Sequence, residues 1–295
     1  TKKRSDRLTP SKLEKKVNTI LDSIGISYQT QFALNKWVYD FKINDWLLEV
    51  QGDYFHKLPG RPNRDLKKRQ NAIDNGYKMI YLWEHEILER PQLVLDRIKS
   101  KLLGNNLIID FSKLSMSIID WTIAEKFLDQ YHYQKKGRSG TSIGLFHNES
   151  LIAVCVFASV IRLEVAKKQN LLPSQILELS RLCIDPNYQV KNLASYFISK
   201  CRKMICSLNK NLKCLVAFSD LSYGHDGAIY KADNWIYDGL TDPSYWYVDA
   251  KRNIIHKKTI WNAAKRAGMS ENEYSNNNNL KKVKGLAKLR FIYKY

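Results

Sequence analysis

The stretch Tyr39-Asp40-Phe41-Lys42-Ile43, followed after Asn44-Asp45 by Leu47-Leu48-Glu49-Val50-Gln51-Gly52-Asp53-Tyr54-Phe55-His56, constrains this chain more than any other. It reads as two short β-strands joined by a tight turn, since apolar and polar residues alternate and Asn-Asp suits a hairpin backbone. The turn brings Asp40 and Glu49 to adjacent strands, so both carboxylates can reach one cation. Hard oxygen donors of this kind suit Mg²⁺, and the carbonyl of Val50 offers a further oxygen. His56, after the Gly52 turn, supplies a group that exchanges protons near neutral pH.

Charge indicates what such a site would act on. The 295 residues carry 48 Lys and Arg against 29 Asp and Glu, a formal charge of +19. This favours a polyanion, with a phosphodiester as the natural substrate. The expected partner is double-stranded DNA and not a membrane, because no apolar run reaches spanning length and no signal-peptide pattern opens the chain. The chain opens on Thr1 rather than methionine, which leaves room for an upstream segment. Cys155, Cys183, Cys201, Cys206 and Cys214 form no Cys-x-x-Cys pair. They read as reduced core thiols of a cytoplasmic protein, not as zinc ligands.

Two domains are expected at this length. The first spans 1–104. A basic tail, 1–9, precedes a helix opened by Pro10-Ser11, with Leu13, Val17, Ile20, Leu21 and Ile24 at helical spacing and Gly25 as its stop. Strands at 27–32, 37–42 and 46–51, a helix over 64–75, a strand at 78–83 and helices over 86–103 follow, closing at Gly104-Asn105-Asn106. The second domain, 105–249, is mixed α/β. It has helices over 118–131, 192–208 and 226–231, strands at 142–146, 151–159, 178–184 and 214–218, and a strand pair across 235–248. A basic, helical segment, 250–295, ends the chain with twelve cations and two acids, Glu271 and Glu273. Trp261, Phe291, Tyr293 and Tyr295 are interspersed, so cations can neutralise phosphates while aromatics pack or stack. Lys251, Arg252, Lys257, Lys258, Lys265, Arg266, Lys281, Lys282 and Lys284 are the expected DNA contacts.

Ser11-Lys12-Leu13-Glu14, Tyr39-Asp40-Phe41, the run from Glu49 to His56, Asn63-Arg64-Asp65 and the run from Gly76 to Glu84 together resemble the PD-(D/E)XK nuclease superfamily. Within it they are most similar to the Vsr-like branch, which holds very-short-patch mismatch endonucleases and phage homing endonucleases with an EDxHD pattern. The resemblance implies a restriction-endonuclease-like domain that hydrolyses DNA with Mg²⁺, or Mn²⁺ in its place. Glu14, Asp40, His56 and Asp65 would be catalytic, and Asp40, Glu49 and Val50 would hold the metal. His56 would act as general base, oriented by Asp65. Two departures matter: Gln51 stands where the superfamily has a lysine, and the zinc-binding residues of the mismatch enzymes are missing. Both favour the homing-type relatives, acting as monomer or homodimer in a phage-infected bacterium. Structural readings stand beside these roles. Glu14 can cap its helix, Asp65 can favour a helix dipole and Asp53 can stabilise a turn.

Glu178-Leu179-Ser180-Arg181-Leu182, Lys191-Asn192-Leu193-Ala194-Ser195 and the run from Ser219 to Trp235, with Tyr131-His132-Tyr133, resemble the phage Mom-like DNA-modification proteins, whose fold is GNAT-like. The middle run opens a helix whose free N–H groups can hold pyrophosphate, although it lacks glycine. The resemblance implies acyl-CoA as cofactor if this domain is active, with His132, Asn192, Ser195, Asp220 and His225 as its site. The expected protein is a Mg²⁺-dependent DNA endonuclease whose GNAT-like domain positions the duplex. The rivals are a DNA-modifying acyltransferase with an appended nuclease, and a non-catalytic DNA-binding protein.

Overall fold

Local chemistry sets the first elements of the computed structural model, which describes residues 10–104, 107–135 and 137–295. The basic tail and the Asn105-Asn106 boundary lie outside the described residues. Ser11 caps helix α1 (Lys12–Ser23) in a reciprocal box with Glu14, at 3.2 and 3.3 Å, and Val17 and Leu21 are fully buried. Strands β1 (Gln29–Leu34), β2 (Trp37–Ile43) and β3 (Trp46–Gln51) form an antiparallel meander. Its turns open on Asn35 and Asn44, at φ 54 and 50, a left-handed backbone that Asn tolerates. Helix α2 (Arg61–Asp74) then crosses over, so that β4 (Lys78–Trp83) lies parallel to β3. The sheet order is β1-β2-β3-β4, and Tyr39, Leu47 and Ala72 pack at its core.

Helices α3 (Glu84–Glu89) and α4 (Pro91–Leu102) lead to β5 (Leu114–Ile119), α5 (Trp121–Tyr131), β6 (Thr141–His147), β7 (Ser150–Ser159) and α6 (Leu163–Lys168). Next come β8 (Ile176–Ile184), α7 (Leu193–Leu208), β9 (Cys214–Ser219), α8 (Ala228–Ala232) and β10 (Ile236–Leu240). The chain ends with β11 (Tyr245–Val248), β12 (Ile254–His256), α9 (Lys257–Arg266), α10 (Glu271–Asn277), β13 (Lys281–Lys284) and β14 (Leu289–Lys294). A seven-stranded sheet runs β10-β14-β9-β8-β7-β6-β5, and a three-stranded one runs β12-β11-β13. The architecture is mixed α/β, as expected.

The chain divides into two compact units that interleave in sequence. One holds residues up to Pro91 together with Asp220–His225 and Thr241–Lys288; the other holds Gln92–Ser219, Asp226–Leu240 and Leu289–Tyr295. The basic stretch 250–295 is therefore shared between them.

Three expectations change. The helix expected over 118–131 starts at Trp121, because Asp120 accepts from Thr122 N–H at 2.8 Å and caps it, leaving 114–119 as strand. The strand pair expected across 235–248 is β10 and β11, which belong to different sheets. The C-terminal segment, expected to be helical, also contributes β12, β13 and β14, and β14 inserts between β10 and β9. Its Phe291 is fully buried in the core of the large sheet. All five cysteines are free thiols, and four of them are buried. No described helix is long and apolar enough to cross a membrane.

Candidate active site

The pairing Phe41↔Leu48 between β2 and β3, carried one residue further, sets Asp40 opposite Glu49. The N–H of Val50 donates to Asp40 Oδ2 at 2.7 Å. Glu49 is 5% exposed, and Lys68 Nζ from α2 lies 2.5 Å from its Oε1. Burial drives the Asp40 carboxyl well above the usual carboxylate range, and the Glu49 charge pushes it further; Lys68 and the Val50 N–H oppose this, and Glu14 adds to it. Glu49 is also raised by burial, with Lys68 and the Asp40 N–H pulling it back and Asp65 pushing it up. Two crowded acids thus share one ammonium. Tyr39 fixes that ammonium's turn of helix: its hydroxyl donates to the Lys68 carbonyl at 2.8 Å and accepts from Asn71 Nδ2 at 3.1 Å.

His56 sits on a 3₁₀ turn after β3, and its Nδ1–H donates to Asp65 Oδ2 on α2 at 2.5 Å. Both side chains remain about one-fifth exposed, at 18% and 23%. With Nδ1 engaged, Nε2 is the other ring nitrogen through which this imidazole can exchange a proton. The Trp83 ring stands edge-on to the imidazole, with centroids 6.0 Å apart. Glu14 has two jobs: Oε1 closes the capping box and Oε2 accepts from Gln31 Nε2 at 2.8 Å. The structure thus groups Glu14, Asp40, Glu49, His56 and Asp65 within one unit.

The donor set fits a divalent cation as a carboxylate pair. Among the described residues no three His, Cys, Asp or Glu side chains form a metal-holding group. Mg²⁺ needs only one or two carboxylates when water completes its shell. Burial first and the Glu49 charge second keep Asp40 raised even with Lys68 present, and a bound cation would oppose both.

Sequence reasoning missed Lys68. Its signal is Asp65-Leu66-Lys67-Lys68, a three-residue spacing that puts Asp65 and Lys68 on one helical face. It also left Asp53 as a turn residue and passed over His85, which the structure pairs: His85 Nδ1 lies 2.8 and 3.0 Å from the two Asp53 oxygens.

The expected DNA-contacting cations lie on the β11–β12 turn, α9 and β13, and all are exposed except the half-buried Lys257. Lys257 and Lys258 occupy the first turn of α9, where cations oppose the helix dipole and an anion favours it. Lys282 Nζ lies over the Tyr245 ring at 3.9 Å. In the same unit, Trp246 Nε1–H donates to the carbonyl of Lys57, next to His56, at 2.7 Å.

The second expected site is divided. His132 is buried, stacks on Tyr133 with centroids 4.5 Å apart, and accepts from Gln134 N–H at Nδ1. Asn192 heads α7 at φ 67, and Ser195 Oγ donates to its carbonyl at 3.0 Å. Asp220 and His225 fall in the other unit. There Asp220 accepts from Ser222 N–H at 3.0 Å and pairs with Lys288 at 2.9 Å, while His225 is exposed.

Residues 113–295 match the model of the Mom protein family. Among solved structures, the chain is similar to the homing endonuclease I-Bth0305I catalytic domain at 25% identity, over 31% of this chain and 93% of that one, with a TM-score of 0.28. It is also similar to the ribosomal-protein-S18-alanine N-acetyltransferase from Escherichia coli at 10% identity, over 61% and 93%, with a TM-score of 0.36. The ribosomal-protein-S5-alanine acetyltransferase from Vibrio fischeri gives 9% identity, 64% and 97%, and a TM-score of 0.37. No curated protein matches the chain.

Proposed function

For a chain that belongs to the Mom protein family through residues 113–295, we propose DNA endonuclease activity centred on Asp40, Glu49, Lys68, His56 and Asp65. The observation that carries this is the buried Asp40–Glu49–Lys68 cluster in one unit with an Asp-oriented histidine. The substrate is the phosphodiester backbone of double-stranded DNA, and the scaffold is the Vsr-like, homing-endonuclease type of PD-(D/E)XK domain.

Asp40 and Glu49 would hold Mg²⁺, which when bound screens charge on the phosphoryl oxygens and acidifies water. His56 Nε2 takes the proton of the attacking water, and Asp65 holds the imidazole in the tautomer that leaves Nε2 open. Lys68 presents a fixed positive charge at the same cluster. The exposed cations of 250–288 neutralise flanking phosphates. The test is cleavage of supercoiled and linear DNA with Mg²⁺ or EDTA by wild type, Asp40→Ala and His56→Ala. Metal-dependent cutting lost in both variants is expected; equal cutting by the variants rejects the site.

A second reading, acyl transfer to DNA, is favoured by the parting of β8 and β9. Their pairing stops at Leu179↔Ala217 although β8 continues to Ile184, and α7 starts from the left-handed Asn192. A strand opening and a helix start without a side-chain cap suit an acyl-CoA. It requires a saturable thermal shift by acetyl-CoA that Ser195→Asp abolishes.

A further inference from the structure

His56 rides on a connection, residues 52–60, that holds Gly52, Pro59 and Gly60, and such a loop does not hold a general base in place unaided. Its anchor lies at the start of α3. That helix follows Trp83, which offers no side-chain cap. Asp53 caps it from outside: Asp53 Oδ2 accepts from the His85 N–H at 3.1 Å, and the Asp53 N–H donates in return to Glu84 Oε2 at 3.0 Å. This is a capping box built across two loops instead of along one helix. The His85 ring adds to it, Nδ1–H donating to both Asp53 oxygens at 2.8 and 3.0 Å.

The box reaches His56 directly. Only Tyr54 and Phe55 separate Asp53 from His56, and the His56 N–H donates to the carbonyl of Gly52 at 3.2 Å. The connection after β3 and the turn after β4 leave neighbouring parallel strands at the same end, where Gln51 pairs with Trp83. The Trp83 ring neighbours both imidazoles, at 6.0 Å from His56 and 6.3 Å from His85.

We propose that Asp53 and His85 are positioning residues that lock the His56-bearing turn to α3 and so fix the general base. The proposal rests on the nuclease reading of this site. Their action is through the His56-bearing turn and not on the phosphodiester. Asp65 sets the tautomer of His56, and the Asp53–His85 box sets where its ring stands.

The experiment compares wild type, His85→Ala, His85→Asn and Asp53→Ala in three measurements: single-turnover cleavage of DNA, DNA binding in EDTA, and the ¹³C–¹H ring signal of His56. A loss of about 10²-fold in cleavage rate, on the scale of a 1 Å misplacement, is expected for His85→Ala and Asp53→Ala. Binding should be unchanged, and the His56 ring signal broadened or split. His85→Asn keeps a side-chain N–H for Asp53 and should recover most of the rate. Full activity and a single sharp His56 signal in the folded Ala variants overturn the positioning role. So does a loss that merely tracks the unfolded fraction seen in melting. A wild type that cuts neither DNA nor bis-p-nitrophenyl phosphate overturns the nuclease reading itself, and the role with it.

Discussion

Among the described residues each unit carries one parallel pair of strands, and the two pairs end differently. In the first, β3 and β4 stay in register for their full length, from Trp46↔Lys78 to Gln51↔Trp83. In the second, β8 and β9 pair only from Ile176↔Cys214 to Leu179↔Ala217, after which β8 runs on to Ile184 and β9 to Ser219. Beyond that point β8 holds to β7 and β9 to β14. A closed pair brings the two following loops together, so side chains converge and buried charges must answer one another. An open pair leaves facing backbone groups outside the ladder, where a ligand can meet them. The first design suits chemistry by side chains, the second recognition by main chain.

The same contrast runs through the buried ion pairs. In the second unit Arg202 makes a two-point pair: Nε lies 2.5 Å and Nη2 2.8 Å from the Asp233 oxygens, and Trp235 Nε1–H donates to the same carboxylate at 2.8 Å. This pair ties the far part of α7 to the end of α8. Removing one partner strands the other, so Asp233→Ala should cost about 3–5 kcal/mol, read as a lower denaturant midpoint. A loss below 1 kcal/mol would mean that the pair is not structural.

Lys68–Glu49 is the opposite case, with one ammonium for two raised acids. Lys68→Ala should slow DNA cleavage by about 10²-fold, as loss of a fixed charge donor does. It should leave any acetyl-CoA shift untouched. Cleavage unchanged by Lys68→Ala would reduce Lys68 to a structural counter-ion.

Lys257→Gln with Lys258→Gln gives a smaller effect, a reduction of about 2 in the logarithmic salt slope of DNA binding. An unaltered slope would take α9 out of the DNA path.

What the sequence made legible follows from the range of the interactions. The meander β1-β2-β3 and the crossover to β4 were readable because Asn turns and alternating hydrophobics act over a few residues. The placing of Asp40 and Glu49 on adjacent strands was readable because the Asn44-Asp45 turn joins those strands. Lys68 was hidden because a lysine on a charged helix looks like solvent-facing surface until Tyr39 and Glu49 are placed beneath it. His85 was hidden because its partner lies 32 residues earlier. The C-terminal strands were hidden for a similar reason. Basic side chains at Lys281, Lys282 and Lys284 mask the single buried Val283, and Phe291 becomes core only beside strands far away in sequence.

The mildest test separates charge from fold at the closed pair. Burial and the Glu49 charge raise the Asp40 carboxyl above its unfolded value. An acid raised in this way favours folding fully below its unfolded pKa, and that contribution is lost as pH climbs through the folded one. Wild type should therefore lose stability from mildly acidic to alkaline pH relative to Asp40→Asn, which keeps an acceptor for the Val50 N–H and carries no charge. At pH 8 the variant should be the more stable protein, with the two melting curves converging at low pH. Mg²⁺ should narrow the gap by stabilising wild type alone, since a ligand of the native state adds stability only where its site survives. A gap independent of pH would place Asp40 in the fold rather than in a charged site. A gap that varies with pH but ignores Mg²⁺ would leave Lys68 as the only cation this pair was built to hold.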